Sequence, residues 1–241
     1  MLKAIVVIPT YNEIENIDQI IHAVFSLQTE FHILIVDDNS PDGTSKRVKD
    51  LQQQYNEKLF LSVRTKKSGL GTAYVHGFKW ALLQGYEYIF EMDADFSHNP
   101  QDLERLLFAC EKEQADVAVG SRYSTGVNVV NWPLNRVLMS YFASKYVKLI
   151  TGMKIHDATA GFICYRKNVL EKINLDRIKF IGYAFQIEMK YRAYVQKFKI
   201  VEVPIIFTDR TKGQSKMSSS IIREAVFGVV LLRIRKIFNQ L

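Results

Sequence analysis

The chain contains few cysteines. Cys110 and Cys164 are the 2 cysteines among 241 residues, and both have apolar neighbours in the sequence. A disulfide or a metal site built on this pair is therefore disfavoured, and the sequence predicts two buried free thiols. Such thiols are typical of proteins in a reducing compartment.

Long apolar runs are missing as well. The N-terminal sequence MLKAIVVIPTYNE has only the short apolar core AIVVI, and the longest later run is AVFGVVLL at 225–232. A signal peptide needs a longer core, and a membrane-spanning helix needs about 20 apolar residues. We therefore expect no transmembrane segment, and a cytoplasmic protein that is free or peripheral at the cytoplasmic face of a membrane.

The chain also lacks a concentrated basic tract, although its net charge is +7 and its pI is near 9.2. The lysines and arginines are dispersed, and no helix-turn-helix or zinc-finger spacing is present. This pattern argues against nucleic acid as a partner. Anionic lipid and phosphate-bearing ligands fit the dispersed positive charge better.

What is present is a regular alternation of strands and helices. The 48% share of hydrophobic residues can build a large core. Strand-like runs at 4–8, 31–37, 59–64, 86–92 and 116–121 are separated by helical-period segments near 14–27, 44–55, 71–84 and 101–113. Continuous apolar strands between helices predict an α/β fold whose mostly parallel central sheet has helices on both faces.

The second half is less regular. It predicts a helix at 133–150, strands at 159–166 and 198–207, and a closing helix at 219–238. No linker, internal repeat or low-complexity tract divides the chain. We therefore expect 1–241 to form a single domain.

Four polar segments follow the predicted strands: PTYNE, DDNSPDGT, DADFSH and SRY. Ligands of open parallel sheets bind outside the carboxyl ends of the strands. The four segments therefore predict one site at that edge. Within the second segment, Asp38 is expected to bond a ribose or a base, while the following residues form a turn.

The segment MDADFSH places Asp93 and Asp95 one residue apart after a strand. Two carboxylates this close repel each other unless a cation, a donor or water separates them. Hard oxygen ligands at this spacing suit Mg²⁺ or Mn²⁺, which retain water and take further oxygens from a diphosphate. We interpret His98 as a residue of the pocket wall rather than a metal ligand.

The glycine-containing segment KKSGLGTAYVHG does not match a dinucleotide-binding motif. Tyr74 stands where that motif needs a small residue, and the segment follows the third strand rather than the first. An oxidoreductase is therefore disfavoured. Gly69 and Gly71 are expected to let the backbone approach a sugar nucleotide at a helix N-terminus.

Seven segments together resemble those of family 2 glycosyltransferases, and more closely those of the polyprenol (dolichol) phosphate mannosyltransferases. In order, they are PTYNE, VDDNSPDGT, KSGLGTAYVHG, MDADFSH, GSRY, DATAGF and FTDRTKGQSKM. The resemblance covers about residues 4–225. It implies a fold of the glycosyltransferase A type, with a nucleotide-binding first half and an acceptor-binding second half.

The resemblance also implies roles for individual residues. The guanosine of GDP-mannose would be held by Pro9, Tyr11, Glu13, Val36 and Asp38. Asp93, Ala94 and Asp95 would hold the metal and the diphosphate, and Ser97 stands where some relatives place a glutamine ligand. The phosphates and the mannose would be surrounded by Arg122, Arg210 and Lys216, and the acceptor phosphate would face Arg136 and Ser140.

The residues themselves support this chemistry. The acceptor phosphate carries negative charge at neutral pH, so it is a nucleophile without a dedicated general base. Bringing two anionic substrates together requires positive charge, and arginine supplies it in a bidentate form. Arg136 and Ser140 are four residues apart and should share one face of a helix. Asp157 is expected either to line the sugar or acceptor pocket or to be purely structural, and Glu188 is expected either to orient an arginine or to be purely structural.

The expected function is transfer of mannose from GDP-mannose to polyprenyl (dolichyl) phosphate with inversion, which gives polyprenyl phosphate mannose. A UDP-glucose-dependent polyprenyl-phosphate glucosyltransferase and a non-catalytic sugar-nucleotide-binding protein are the alternatives. Residues 219–241 are expected to form either a closing helix or a helix at the membrane interface, bound to the membrane directly or through a small anchoring partner.

Overall fold

The computed structural model describes residues 3–209 and 219–238. Its first half alternates strands and helices as expected: β1 Ala4–Thr10, α1 Ile17–Phe25, β2 His32–Asp37, α2 Thr44–Gln52, β3 Leu59–Val63, α3 Leu70–Leu83, β4 Tyr88–Glu91, α4 Asp102–Glu111 and β5 Val117–Ser121. The second half contains β6 Val129–Val130, α5 Leu134–Thr151, β7 Ile163–Arg166, α6 Lys167–Lys172, α7 Tyr183–Val195, β8 Ile200–Pro204, β9 Phe207–Thr208 and α8 Ser219–Ile237.

Seven strands form one central sheet in the order β3-β2-β1-β4-β7-β5-β8. Every neighbouring pair is parallel except the two that involve β7, which runs antiparallel to both β4 and β5. The predicted mostly parallel sheet is therefore confirmed. β6 and β9 form a separate two-stranded parallel ribbon.

Helices cover both faces of the sheet, as the alternation along β1 illustrates. Ile5 and Val7 pack into the cluster that contains side chains of α3, α5, α7 and α8. Val6 and Ile8 point to the other face, where α1, α2 and α4 pack. Because successive side chains of a strand face opposite ways, an apolar run such as AIVVI is the pattern of a strand buried on both faces.

Several second-half predictions were wrong in detail. Residues 159–162 were expected in a strand, but β7 begins at Ile163. The predicted strand 198–207 is divided into β8 and β9, because the chain leaves the central sheet after Ile205, whose N–H still donates to Ser121 O at 3.1 Å, and then pairs with β6. Helix α7 was not predicted, since its polar side chains are mostly buried and conceal the usual amphipathic pattern.

The cysteine prediction is confirmed, because Cys110 and Cys164 are both free and buried. Within the described part of the chain, no helix is long and apolar enough to cross a membrane.

Candidate functional site

The carboxyl ends of the parallel strands surround a cavity of about 380 Å³. Its walls come from the loops after β4 and β5, from α5 and α7, and from the ribbon β6–β9. Seven residues singled out in the sequence line it: Asp93, Asp95, Ser97, His98, Arg122, Arg136 and Ser140. The structure therefore brings the aspartate pair and two of the arginines into one site.

The residues expected at the guanosine lie beside this cavity, at the ends of β1 and β2. Pro9 pairs with Val36 in the parallel register of these strands, and Val36 is fully buried. The loops that follow are bonded to each other, because the N–H of Asn12 donates to Ser40 Oγ at 3.0 Å and the N–H of Glu13 donates to Thr44 Oγ1 at 3.1 Å. Both loops are therefore held in a fixed relation.

The two adjacent acids Asp37 and Asp38 are used differently. Asp37 accepts from Thr10 Oγ1 at 2.8 Å and from Ser40 Oγ at 2.6 Å, which fixes the turn. Asp38 accepts from Arg64 Nε at 2.5 Å and from Arg64 Nη2 at 2.7 Å. Asp38 is therefore already paired with an arginine, a partner that the sequence did not indicate.

An aromatic ring with a cation above it lies in the same region. Lys67 Nζ is 4.2 Å from the ring centroid of Tyr11. Tyr11 and Glu13 are both half-buried. This ring is placed where a planar base could stack on it.

The aspartate pair lies in a tight turn after β4. The N–H of Ser97 donates to Asp95 Oδ1 at 3.1 Å, and Phe96 adopts a positive φ of 59°. Asp95 is 8% exposed and Ala94 is 4% exposed, so this part of the turn is packed against the rest of the protein. Tyr74 OH donates to Asp93 Oδ1 at 3.3 Å, and burial raises the pKa of Tyr74 well above its ordinary value, which keeps this donor protonated.

His98 supports the turn rather than entering the cation site. Burial, opposed by the charge of Asp95, lowers the pKa of His98 to about 4, so the ring is neutral at physiological pH. Its Nδ1 accepts from the N–H of Asp93 at 3.4 Å, and its ring stacks on Phe162 with centroids 4.8 Å apart. The geometry is that of a pocket-wall residue, as expected.

The oxygen atoms at this turn fit a small divalent cation. Asp93 and Asp95 supply carboxylates, and the buried Ser97 Oγ has no hydrogen-bond partner among the described residues. Within that part of the chain no group of three His, Cys, Asp or Glu residues could hold a metal. A site with two carboxylates and a hydroxyl therefore suits an ion that keeps water and takes oxygens from its substrate.

Arg122 follows β5 and is fixed by Asp157. Arg122 Nε donates to Asp157 Oδ2 and Nη2 donates to Asp157 Oδ1, both at 2.7 Å, and the N–H of Arg122 donates to Oδ2 at 3.0 Å. Burial alone would raise the pKa of Asp157, but the charge and hydrogen bonds of Arg122 lower it below its ordinary value. Asp157 is thus an ionised partner that aims Arg122, and it does not line the cavity itself.

The loop that carries Asp157 is held in turn by Glu202. This carboxylate accepts from Ser121 Oγ at 2.7 Å, from the N–H of His156 at 2.8 Å and from the N–H of Asp157 at 2.9 Å. Glu202 lies on β8, about 45 residues further along the chain, and no local motif marks it.

Arg136 and Ser140 lie one turn apart on the same face of α5, as predicted, and both line the cavity. Arg136 Nη1 donates to both carboxylate oxygens of Asp209 at 2.8 Å. Asp209 and Trp132 also line the cavity, and neither was predicted from the sequence as a site residue. Arg210 and Lys216 lie outside the described residues.

Gly71 and Glu188, both singled out in the sequence, make contacts within the fold. A Cβ on Gly71 would lie 2.7 Å from the ring of Phe185, so this glycine permits close packing of the chain on itself rather than approach of a ligand. Glu188 accepts from Arg192 Nε at 2.9 Å and from the N–H of Lys179 at 2.9 Å, so it orients an arginine in a structural network.

Comparisons with known proteins agree with this arrangement. The family model described as glycosyl transferase family 2 matches residues 5–174. A polyprenol monophosphomannose synthase of Mycolicibacterium smegmatis is 48% identical over 97% of this chain and 88% of its own length. An undecaprenyl-phosphate mannosyltransferase of Micrococcus luteus is 42% identical over 95% of this chain and 93% of its own length.

A solved structure with a similar fold is the mannosyltransferase PcManGT from Pyrobaculum calidifontis in complex with GDP-Man and Mn²⁺. It superposes with a TM-score of 0.61 at 15% identity, over 98% of this chain and 64% of the other. The expected fold of the glycosyltransferase A type is thereby confirmed. The chain belongs to glycosyl transferase family 2.

Proposed function

We propose that this protein transfers mannose from GDP-mannose to a polyprenyl (dolichyl) phosphate with inversion at the anomeric carbon. The observation that carries the proposal is a single cavity with an aspartate pair on one wall and two carboxylate-anchored arginines on another. Such a cavity offers places for two anionic substrates. The two relatives, named for mannose transfer to polyprenyl phosphates, support this choice of substrates.

The donor is proposed to lie across the ends of β1, β2 and β4. Pro9, Tyr11, Glu13, Val36 and Asp38 would hold the guanosine, with the base near the ring of Tyr11. Asp93, Ala94 and Asp95 would face the diphosphate.

Asp93 and Asp95, with Ser97 Oγ, would hold Mg²⁺ or Mn²⁺. When bound, the ion offsets the charge that develops on the departing diphosphate. The Mn²⁺ in the complex of the P. calidifontis mannosyltransferase supports a divalent cation on this fold.

The acceptor phosphate is proposed to lie against Arg136 and Ser140, with Arg122, Arg210 and Lys216 around the phosphates and the sugar. The acceptor is already an anion at neutral pH, so these residues bring it to the anomeric carbon rather than deprotonate it. Attack from the face opposite the leaving diphosphate inverts the configuration. A phosphoryl oxygen forms the new bond to carbon as the bond to the diphosphate oxygen breaks.

The lipid part of the acceptor has an apolar wall to lie on. Met139, Phe142 and Val226 line the cavity and are 39–62% exposed. The exposed apolar surface continues on α8 and the residue that follows it, where Phe227, Ile237 and Phe238 are 64–69% exposed. An isoprenoid chain cannot form hydrogen bonds, so polar groups that it covered would lose their partners in water at a cost in free energy. An apolar surface avoids this cost.

Helix α8 has one side suited to each of the two roles that the sequence left open. Gly228, Val229 and Leu232 are buried, and Gly228 lies so close to Phe180 that a Cβ would be 2.7 Å from its ring. The other side of α8 is the exposed apolar surface, and Arg233 and Lys236 are exposed beside it. We propose that 1–241 is one glycosyltransferase domain, peripheral at the cytoplasmic face of a membrane, bound there directly or through a small anchoring partner.

The test is a thermal-shift and turnover panel with GDP, UDP, GDP-mannose and UDP-glucose, each with and without Mn²⁺. A ligand that binds the native state raises the unfolding midpoint by mass action. GDP and GDP-mannose should raise it in the presence of Mn²⁺, and radiolabelled mannose should appear on polyprenyl phosphate. Selective stabilisation by UDP and UDP-glucose would instead indicate the glucosyltransferase, and binding without turnover would indicate a sugar-nucleotide-binding protein.

A further inference from the structure

One indole ring contacts both arginines of the cavity. The guanidinium carbon of Arg136 is 4.1 Å from the ring centroid of Trp132, and that of Arg122 is 5.4 Å from it. Arg122 belongs to the loop after β5 and Arg136 belongs to α5. Trp132 is thus a shared neighbour of the two arginines, and Phe207, whose ring centroid is 5.5 Å from the guanidinium carbon of Arg122, adds a second aromatic contact to that arginine.

The ring of Trp132 also packs against the β6–β9 ribbon. Trp132 stands between β6 and the N-cap residue of α5, Pro133. Its ring meets that of Phe207 edge-on, with centroids 5.2 Å apart. The N–H of Asp209 donates to Val130 O at 3.0 Å, so the paired β6–β9 ribbon carries both the tryptophan and the carboxylate partner of Arg136.

Two guanidinium groups around one ring repel each other, and the structure offsets the repulsion on both sides. Asp157 pairs with Arg122 and Asp209 pairs with Arg136. The electron-rich face of an indole attracts both cations, and this attraction grows when the cations are withdrawn from water. Arg122 is 8% exposed, so its guanidinium is largely withdrawn from water and its attraction to the indole ring is stronger than that of an exposed arginine.

We propose that Trp132 is a positioning residue that couples the donor and acceptor halves of the site through its contacts with Arg122 and Arg136. The inference rests on the proposed function, in which Arg122 serves the donor phosphates and Arg136 serves the acceptor phosphate. A phosphate that orders one guanidinium also orders the ring, so the second phosphate meets an arginine already in place. By linkage, each ligand then strengthens the binding of the other by the same factor.

The chain allows a direct test because it contains only 2 tryptophans. Trp80 packs against Phe60 with ring centroids 4.9 Å apart and does not line the cavity. W80F therefore leaves Trp132 as a single fluorescent reporter and should keep wild-type turnover. Its emission should change with GDP plus Mn²⁺ and again with farnesyl phosphate, and each ligand should lower the Kd of the other. Unchanged emission with both ligands saturating would overturn the proposal.

Variants at Trp132 in the W80F background give the second measurement. These variants contain no tryptophan, so their coupling is measured by isothermal titration calorimetry of GDP plus Mn²⁺ with and without farnesyl phosphate, and the W80F parent is measured in the same way. W132F keeps an aromatic face and should therefore retain the coupling. Its kcat should fall by no more than about threefold from that of the W80F parent, since phenylalanine is a weaker cation–π partner than tryptophan but still attracts the arginines. W132L should abolish the coupling and lower kcat about tenfold, which corresponds to ~1.4 kcal/mol. Equal kcat and equal coupling in W132F and W132L would refute the role of the ring.

Two controls separate this inference from the proposed function. The coupling is measured by binding, so it is tested even where no mannose is transferred. A W80F parent that binds neither GDP nor farnesyl phosphate would contradict both the proposed function and the inference. Mannose transfer by W80F that persists unchanged in W132L would leave the function standing and refute the inference alone.

Discussion

Replacing Asp157 with asparagine tests the part of the site that is most deeply buried. Asp157 is fully buried, and Arg122 is 8% exposed. Asparagine has nearly the same shape, but it turns one acceptor into an N–H donor that faces the donors of Arg122. The variant leaves a buried guanidinium without its counter-charge, which typically costs about 3–5 kcal/mol of unfolding free energy.

The loss should be visible in a thermal unfolding scan. For a chain of this size each kcal/mol shifts Tm by about 2–4 °C, so D157N should melt roughly 6–20 °C below the wild type. Asp176→Asn is the matched control, because Asp176 also pairs with a cation, Lys79, but its side chain is 79% exposed. Surface pairs contribute about 0–1 kcal/mol, so D176N should shift Tm by less than about 4 °C.

The pH dependence provides the sharper criterion. Burial alone would raise the folded-state pKa of Asp157, but the charge and hydrogen bonds of Arg122, together with the charge of Lys190, bring this pKa below the ordinary value of 3.8. A group with a lowered folded-state pKa stabilises the protein fully above its unfolded pKa, and this contribution is lost as the pH falls through the folded pKa. The difference in Tm between wild type and D157N should therefore be constant from pH 7 to 5 and shrink below 3.8. A D157N shift no larger than that of D176N, or a difference that grows towards acid, would refute the reasoning.

Three further substitutions probe the substrate side of the site. Asp95→Ala should abolish Mn²⁺-dependent donor binding in calorimetry while leaving the circular dichroism spectrum unchanged, and retained wild-type turnover would contradict the cation assignment. Arg136→Ala should weaken acceptor use about 10- to 150-fold, the value of a hydrogen bond to a charged group, with unchanged GDP affinity; an equal loss of GDP affinity would place Arg136 on the donor side. The double substitution of Phe227 and Phe238 by aspartate should reduce sedimentation with anionic liposomes at low salt, with turnover on a short-chain acceptor as the control; unchanged sedimentation would contradict membrane docking by α8.

The sequence predicted the first half of the fold well because its signals are local. The strands β1, β2, β4 and β5 are almost entirely buried, and polar residues follow each of them at the same edge of the sheet. The aspartate pair and the two described arginines could be chosen from the motifs and lie in one cavity.

What the sequence did not indicate depends on contacts between distant residues. Arg64 reaches Asp38 over 26 residues, and Asp209 reaches Arg136 over 73. Glu202 supports the Asp157 loop over 45 residues. Each of these partners is an ordinary charged residue in its own segment, so its role appears only when the sheet is assembled.

The antiparallel strand β7 determines the spacing of the two chemical halves. It lies between β4, which leads into the aspartate pair, and β5, which leads into Arg122. Neighbouring strands are about 4.7–4.9 Å apart, so the two parallel strands end two such steps, about 9.5 Å, from each other. Because β7 runs the other way, its entry loop, and not its exit, stands in this gap, and that loop carries Asp157. A single reversed strand thus separates the aspartate pair from Arg122 and brings the carboxylate that anchors Arg122 into the space between them.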